Sequence, residues 1–465
     1  MLPLKQKVEQ FIESNPKFNE YLTKQNIKPQ DYKELLVDYA VDGRRCVRLR
    51  GQTLPEQIRK ELEYQLSEDE HSDDMQELQP KQKYSQLVEV HPLFADLVLV
   101  PREIKINHLE SFKCGDIVGI EASSALIVKC LGIDATSRVL DMCCSPGAKL
   151  MYIADLVKHT KIPQYHENVV GCDISYHRSQ ICKSLLAKHG HPIVRVLRGD
   201  STKIREILGE QTGQLFKPNK VLVDVECTHE GSLKHILKFI TKEEQVEDQH
   251  TEQVDDEPNG PTSSKKLITS NGPTDCPKNS DESVVKPEPK ISNKERKRRL
   301  AQKQKLEAEK KDSEKYFSQQ EKPMEWGVQG FTERVLDEKK LDVLFNLQTE
   351  LLLEAMYVCE PGGEVIYSTC SLMKSQNEDV LTKALSLYSE KKSLLTFTLE
   401  DSFAHLDPEQ KTELVQQERF GVSAGSLKGT YYLKPNKYTT GGMFVSRLIK
   451  SVDLSSKQHT GVTTN

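Results

Sequence analysis

From about Gln86 onward the chain alternates two hydrophobic patterns: short runs of continuous apolar residues, and longer stretches where apolar residues recur every three or four positions. The first pattern predicts buried strands and the second predicts helices. SRVLDMC, ENVVGCDIS, PIVRVLRGD and KVLVDVEC read as four successive strands. GAKLMYIADLV and HRSQICKSLLAKHG read as helices between them, the second closed by Gly190. Much later, LDVLFNLQTELLLEAMYVCEPGG puts Leu344, Leu347, Leu351, Leu352 and Ala355 on one helical face. Its Pro-Gly stop releases a fifth strand, EVIYSTC. Repeated strand–helix units with continuously apolar strands predict an α/β fold, an open and mostly parallel sheet with helices on both faces.

The flanks read differently. The first residues are helical through about Tyr39, CVRLRG is a short strand, and TLPEQIRKELEYQL is a helix beginning after Thr53 with Pro55 in its first turn. These make a small N-terminal α/β domain over 1–85, ending in the acidic run Ser67–Asp74, a solvated loop. Between Thr241 and Lys315 the periodicity disappears and charged runs such as KERKRRLAQKQKLEAEKK take over, which predicts a disordered charged insertion over 241–315. It divides the main domain into 86–240 and 316–450, and 451–465 is a tail.

Composition narrows the class. Hydrophobic residues make up 36% of the 465 positions, and with the 24 glycines about 41%, below an ordinary globular chain and in keeping with an unpacked segment. The net charge of −5 excludes no partner. The N-terminus lacks an apolar signal core and carries acidic residues early, so neither secretion nor a mitochondrial presequence is expected, and no window is long enough for a membrane span. Eleven cysteines without a Cys-x-x-Cys pair or a neighbouring histidine cluster argue against a disulfide framework and a structural zinc site; no metal is expected.

In an open parallel sheet, ligands sit at the carboxyl ends of the strands. The first strand ends in DMCCSPGAK, Asp141 to Lys149, a tight turn with one useful glycine, Gly147, and no phosphate-binding spacing. The second ends in Asp173 and the third in Asp200. Three acids in order without a phosphate loop suit a nucleoside cofactor that carries no phosphates, S-adenosylmethionine being the commonest. Each acid alone has the simpler reading of a turn or helix cap. Two cysteines follow, Cys227 in DVECTHEG and Cys370 in YSTCSL. A lone strand-end cysteine is more often a buried hydrophobe. A pair suits covalent activation of a pyrimidine, whose carbon 5 becomes nucleophilic once a thiolate adds to carbon 6.

DMCCSPGAK, CDISYHR, GDS, DVEC and EPGGEVIYSTCSLMKSQNED, flanked by EASSALIV and TTGGMFVSRLIK, resemble in order and spacing the Sun-domain (Nop/Sun) RNA cytosine-5 methyltransferases. The resemblance covers about Gln86–Lys450 without the insertion, and implies a class I methyltransferase (Rossmann-like) sheet. It implies that Cys143, Cys144, Ser145, Pro146, Gly147, Ala148 and Lys149 hold the methionine part of S-adenosylmethionine, Asp173 the ribose and Asp200 the adenine end. Asp224 would read the cytosine's ring nitrogen and amine beside the cofactor, with Lys149 near both. Cys370 would attack carbon 6, and Cys227 would assist release of the methylated base.

The resemblance is imperfect at Cys144 and Ala148, where the family usually has alanine and glycine, and at Glu226, where proline usually precedes the cysteine. Thr228-His229 replaces Ser-Gly, and Gly441 stands where aspartate is common. A carboxylate at 226 would raise the Cys227 thiol pKa if it faced it. The implied activity is formation of 5-methylcytosine in tRNA or rRNA by a monomer. The rivals are a weakened RNA-binding scaffold and the same fold acting on a non-RNA substrate. KERKRR, Lys294 to Arg299, reads as a nuclear-localisation signal, an RNA-contacting arm or a charged helix in a linker; the expected location is the nucleus, nucleolus included, with the cytoplasm as the alternative.

Overall fold

The computed structural model describes residues 4–25, 27–69, 88–102, 104–161, 165–212, 216–241, 330–332, 335–391 and 395–452. Residues 1–243 and 323–465 form one compact unit. Apart from Thr241, the expected insertion 241–315, with its KERKRR run, lies outside the described residues, as do Glu70–Asp74 of the acidic run and residues 453–465.

The main sheet is built from strands β5 (Val139–Asp141), β6 (Val169–Asp173), β7 (Arg195–Arg198), β8 (Lys220–Asp224) and β9 (Glu364–Thr369), all parallel. The long strand β13 (Met443–Val452) runs antiparallel beside β9. Beyond it lie β12 (Tyr431–Leu433) and β11 (Val422–Ala424), while β10 (Leu395–Glu400) also pairs with β13. The spatial order is β11-β12-β13-β9-β8-β5-β6-β7.

Alternation along each strand divides the core. Val139, Val169, Leu222 and Ile366 point into one apolar layer with helices Ala122–Cys130, Ala148–His159 and Tyr176–Lys188. Leu140, Val170, Val221, Val223, Val365 and Tyr367 point into the other, with helices Ile204–Thr212, Glu338–Val358 and Glu378–Ser389. Successive side chains of a strand face opposite ways, so both faces must be apolar when both are covered. This is the doubly covered parallel sheet that the sequence pattern predicts.

The N-terminal region is organised in two parts. β1 (Arg44–Leu49) pairs antiparallel with β3 (Leu97–Pro101) and β4 (Ile117–Gly119), and β3 with β2 (Glu89–Val90). The small sheet thus joins strands from both sides of residue 85. Pro55 starts the helix Pro55–Asp69, which carries Ser67–Asp69 of the expected acidic loop. The helical start is three helices, Leu4–Glu13, Pro16–Lys24 and Pro29–Asp42. They pack on helix Leu233–Thr241, Phe331, Val335 and Met373 rather than on the small sheet.

Candidate active site

The chain runs from β5 outward through β6 and β7, then crosses back to place β8 and β9 on the other side of β5. The strand order reverses between β5 and β8, and it is at the carboxyl ends of strands beside such a reversal that open α/β sheets bind ligands. Asp141 ends β5, Asp224 ends β8, Asp173 ends β6, and Cys370 follows β9 directly. The register brings Asp224 beside Ser368, whose hydroxyl donates to Asp224 Oδ1 at 2.8 Å.

The turn after β5 is held from several sides. Cys143 N donates to Asp141 Oδ1 at 3.3 Å and Cys144 N to the Cys172 carbonyl at 3.0 Å, while Arg178 holds the Ser145 carbonyl at 3.0 Å. Pro146 is exposed, and Gly147, at φ +112°, leads into the helix that begins at Ala148. A β-carbon at 147 would stand 2.9 Å from Cys182 Sγ, so only glycine fits here. Asp173 is buried, with Oδ1 accepting from Ser175 N at 2.9 Å. Asp200 Oδ1 accepts from Thr202 N at 3.0 Å and Thr202 Oγ1 at 2.8 Å. The turn-cap reading therefore holds for one oxygen of each acid. Asp141 Oδ2 and Ser145 Oγ are buried without a partner among the described residues, so polar capacity is left over at the end of β5. Burial, and then the charge of Asp224, push the Asp141 carboxyl up to about 7. A ligand that brings hydrogen-bond donors to this turn fits that surplus.

Lys149 reaches across to Asp224, Nζ to Oδ2 at 2.7 Å. Burial opposes the lysine's charge, but Asp224, Glu121 and Asp141 outweigh it and raise its pKa. Beyond this pair lie the two cysteines, Sγ to Sγ 3.2 Å. His229 Nδ1 stands 2.9 Å from Cys370 Sγ and 3.6 Å from Cys227 Sγ. Two sulfurs this close are within hydrogen-bond reach of each other. Burial raises the Cys227 thiol, but the Cys370 hydrogen bond and the adjoining His229 imidazole bring it down to about 6. The hydrogen bond to Cys227, and then burial, hold the Cys370 thiol well above its ordinary value. Of the two residues, Cys227 is buried and Cys370 is the more open.

The family model described as 16S rRNA methyltransferase RsmB/F matches residues 128–255 and 333–449, more than half of the chain. The chain belongs to the RsmB/F methyltransferase family. Among curated relatives, the 5-cytosine rRNA methyltransferase NSUN4 of Xenopus tropicalis is 32% identical over 114 residues, 24% of this chain and 26% of the relative. Ribosomal RNA small subunit methyltransferase B of Yersinia pseudotuberculosis is 27% identical over 147 residues, 31% of each chain. The matched stretches thus span under a third of these relatives' length. Among solved structures, NSun6 from Pyrococcus horikoshii with SFG aligns with a TM-score of 0.46 at 13% identity, covering 90% of this chain and 96% of that one.

Within this RsmB/F-family chain the fold brings Lys149, Asp224, Cys227 and Cys370 together, and sets the turn Cys143–Ala148 with Asp173 and Asp200 along the neighbouring strand ends. Glu226 departs from expectation. It is exposed, its carbonyl accepts from Gln348 Nε2 at 2.8 Å, and the groups that act on the Cys227 thiol are Cys370, His229 and Glu230. The thiol is accordingly lowered and not raised.

Three residues of this RsmB/F site escape sequence reasoning. His229 looked like a departure, and its role shows only when Cys370 is folded against it. Glu230, fully buried, takes Ser371 Oγ at 2.6 Å, Leu372 N at 2.7 Å and Tyr21 OH at 2.8 Å on Oε1, and the Thr228 hydroxyl on Oε2. It ties both cysteine loops to the N-terminal helices. Glu121, the first residue of EASSALIV, stands near Lys149, with burial raising its pKa. Want of a clustered histidine excluded a structural zinc site in the sequence, yet the donor atoms of Cys227, His229 and Cys370 lie within 4.8 Å of one another. Three donors fall one short of a closed four-coordinate site.

Proposed function

We propose that this chain is an S-adenosylmethionine-dependent RNA methyltransferase that forms 5-methylcytosine through a covalent adduct between Cys370 and the base. The observation that carries it is the pair of sulfurs 3.2 Å apart beside the Lys149–Asp224 pair, at the switch point of a doubly covered sheet. The Cys143–Lys149 turn, Asp141 and Asp173 would hold the cofactor, with Asp200 at its far end. When bound, the cofactor supplies an electrophilic methyl group.

The chain's own residues do the rest. Asp224 accepts from the exocyclic amine of a cytosine, the donor that distinguishes it from uracil. Lys149 holds that carboxylate in place. Cys370, the more open of the two residues, adds through its sulfur to carbon 6, and the electron pair of the carbon 5–carbon 6 double bond moves to carbon 5, which then takes the methyl group. Removal of the carbon 5 proton and loss of the sulfur restore the aromatic ring. Positioning an unstacked base against these groups supplies much of the rate. The relatives' names support ribosomal RNA as the first substrate to try, with tRNA as the second.

Bisulfite sequencing of RNA from cells with and without the protein identifies the modified position. On that RNA, Cys370→Ser abolishes transfer, and Cys227→Ala accumulates a protein–RNA adduct mapping to Cys370. A second reading exchanges the sulfurs, because the Cys227 thiol is the one brought down by its neighbours. An adduct on Cys227 in the Cys370→Ser variant would establish that reading and discard the first.

A further inference from the structure

A cysteine adds to a base as its thiolate, and His229 Nδ1, 2.9 Å from Cys370 Sγ, is placed to take the thiol's proton. We propose that His229 is the catalytic base of Cys370, the imidazole and the two thiols forming one proton-sharing unit. This rests on Cys370 being the nucleophile.

Two observations besides the distance support the assignment. His229 has φ +61°, in the left-handed region that few residues with a β-carbon adopt. A residue there is held by its surroundings. Here Glu230, the next residue, anchors the turn through Thr228 and Ser371, and Gly231 N donates to the Cys370 carbonyl at 2.9 Å. The same anchors fix both partners of the imidazole–sulfur pair. The second observation is exposure: His229 is only half-buried, so a proton on its ring has a route to solvent.

The proton balance closes. Cys370 Sγ–H gives its proton to His229 Nδ1 as Sγ bonds to carbon 6. After methylation the carbon 5 proton passes to the Cys227 thiolate, and the Sγ–C6 bond breaks with its electron pair returning to Cys370. Cys227 then returns a proton to Cys370 across 3.2 Å, and the imidazolium releases its proton to water, one proton per turnover. The groups facing the unit are Glu230 under the turn, Glu121 and Asp224 toward Cys370, Lys149 behind Asp224, and the His235 ring, 5.0 Å from that of His229.

The test is the pH profile of Cys370 alkylation by iodoacetamide in the full-length protein, read by mass spectrometry of its peptide. His229→Gly suits the left-handed backbone, and His229→Gln serves if the glycine variant does not fold. With Cys227→Ala in both backgrounds to isolate the second thiol, Cys370 at pH 6.5 reacts at least about tenfold faster when His229 is present. Added imidazole restores reactivity to His229→Gly, a rescue that a structural role would not show. Equal profiles with and without His229 overturn the proposal. In methyl transfer, the His229→Gly deficit is largest below pH 7 and shrinks as pH rises. If the wild type methylates no RNA, the proposed function fails, and alkylation still decides whether His229 governs Cys370.

Discussion

A β-carbon on Gly441 would stand 2.4 Å from Oε2 of Glu121, so the Glu121 carboxylate fills the room that a side chain at 441 would need. Two segments 320 residues apart in the chain thus trade a side chain for a space. Gly441→Asp, the residue common in similar sequences, is expected to crowd Glu121 and set two carboxylates against each other, lowering methyl transfer about tenfold or more. Glu121→Ala added to Gly441→Asp recovers most of that loss, whereas independent sites would add their losses. A double-mutant cycle on methyl transfer measures the coupling; simple additivity would show that the two positions do not share the space.

Lys149 and Asp224 form the ion pair at the crevice, both side chains largely buried. Lys149→Met leaves Asp224 without its cation, and Asp224→Asn removes the carboxylate proposed to read the cytosine. Each is expected to reduce kcat/KM by about 100-fold, or about 3 kcal/mol. Isothermal titration with S-adenosylmethionine separates the two effects, since Lys149→Met weakens cofactor binding and Asp224→Asn leaves it within about threefold. Absence of binding in the wild type would favour an RNA-binding scaffold.

Glu230→Ala strands the donors of Tyr21, Thr228, Ser371 and Leu372. Leaving donors to a buried carboxylate unpaired is expected to cost about 2–4 kcal/mol in urea unfolding. A loss under 1 kcal/mol would mean the loops hold themselves.

His91 and His189 set an acid limit. Burial lowers each to about 4. His91 Nδ1 accepts from Leu93 N at 3.2 Å, leaving Nε2 to donate to the Tyr438 carbonyl at 3.2 Å, a pairing only the neutral ring can make. The unfolded state binds these protons first, so the associated stability is complete above about pH 6.5 and declines as pH falls toward 4. At pH 5 the loss is about 1–2 kcal/mol per histidine. Urea midpoints at pH 7 and 5 measure it, and His91→Gln halves the difference.

Glu226→Gln is expected to leave Cys227 alkylation within about twofold of wild type across pH, because that side chain faces solvent. A large shift would place the carboxylate at the thiol after all.

The five parallel strands were legible because each is apolar throughout, a pattern that only a strand covered on both faces needs. Strands β11 and β12 are three residues each, too short for alternation to register, and TTGGMFVSRLIK could be read only as a flank although it contains most of the long antiparallel strand. Asp224, Cys227 and Cys370 were legible because strand ends point to the crevice. His229 was not, because its meaning lies in a sulfur 141 positions further along the chain. Nor was Glu230: an acid in a polar turn gives no sign that it will be sealed beneath Tyr21 and Tyr32.

Phe239 and Phe331 lie with ring centres 5.4 Å apart, on either side of the 242–329 segment, and the N-terminal helices pack over both. The described residues on the two sides of that segment are therefore clasped together at one seam. The entropy of closing a longer or a shorter connection between them differs by only a few times 0.6 kcal/mol. Changes in the length of chain between Phe239 and Phe331 can therefore be tolerated without loosening this seam, since the two rings already hold its sides together.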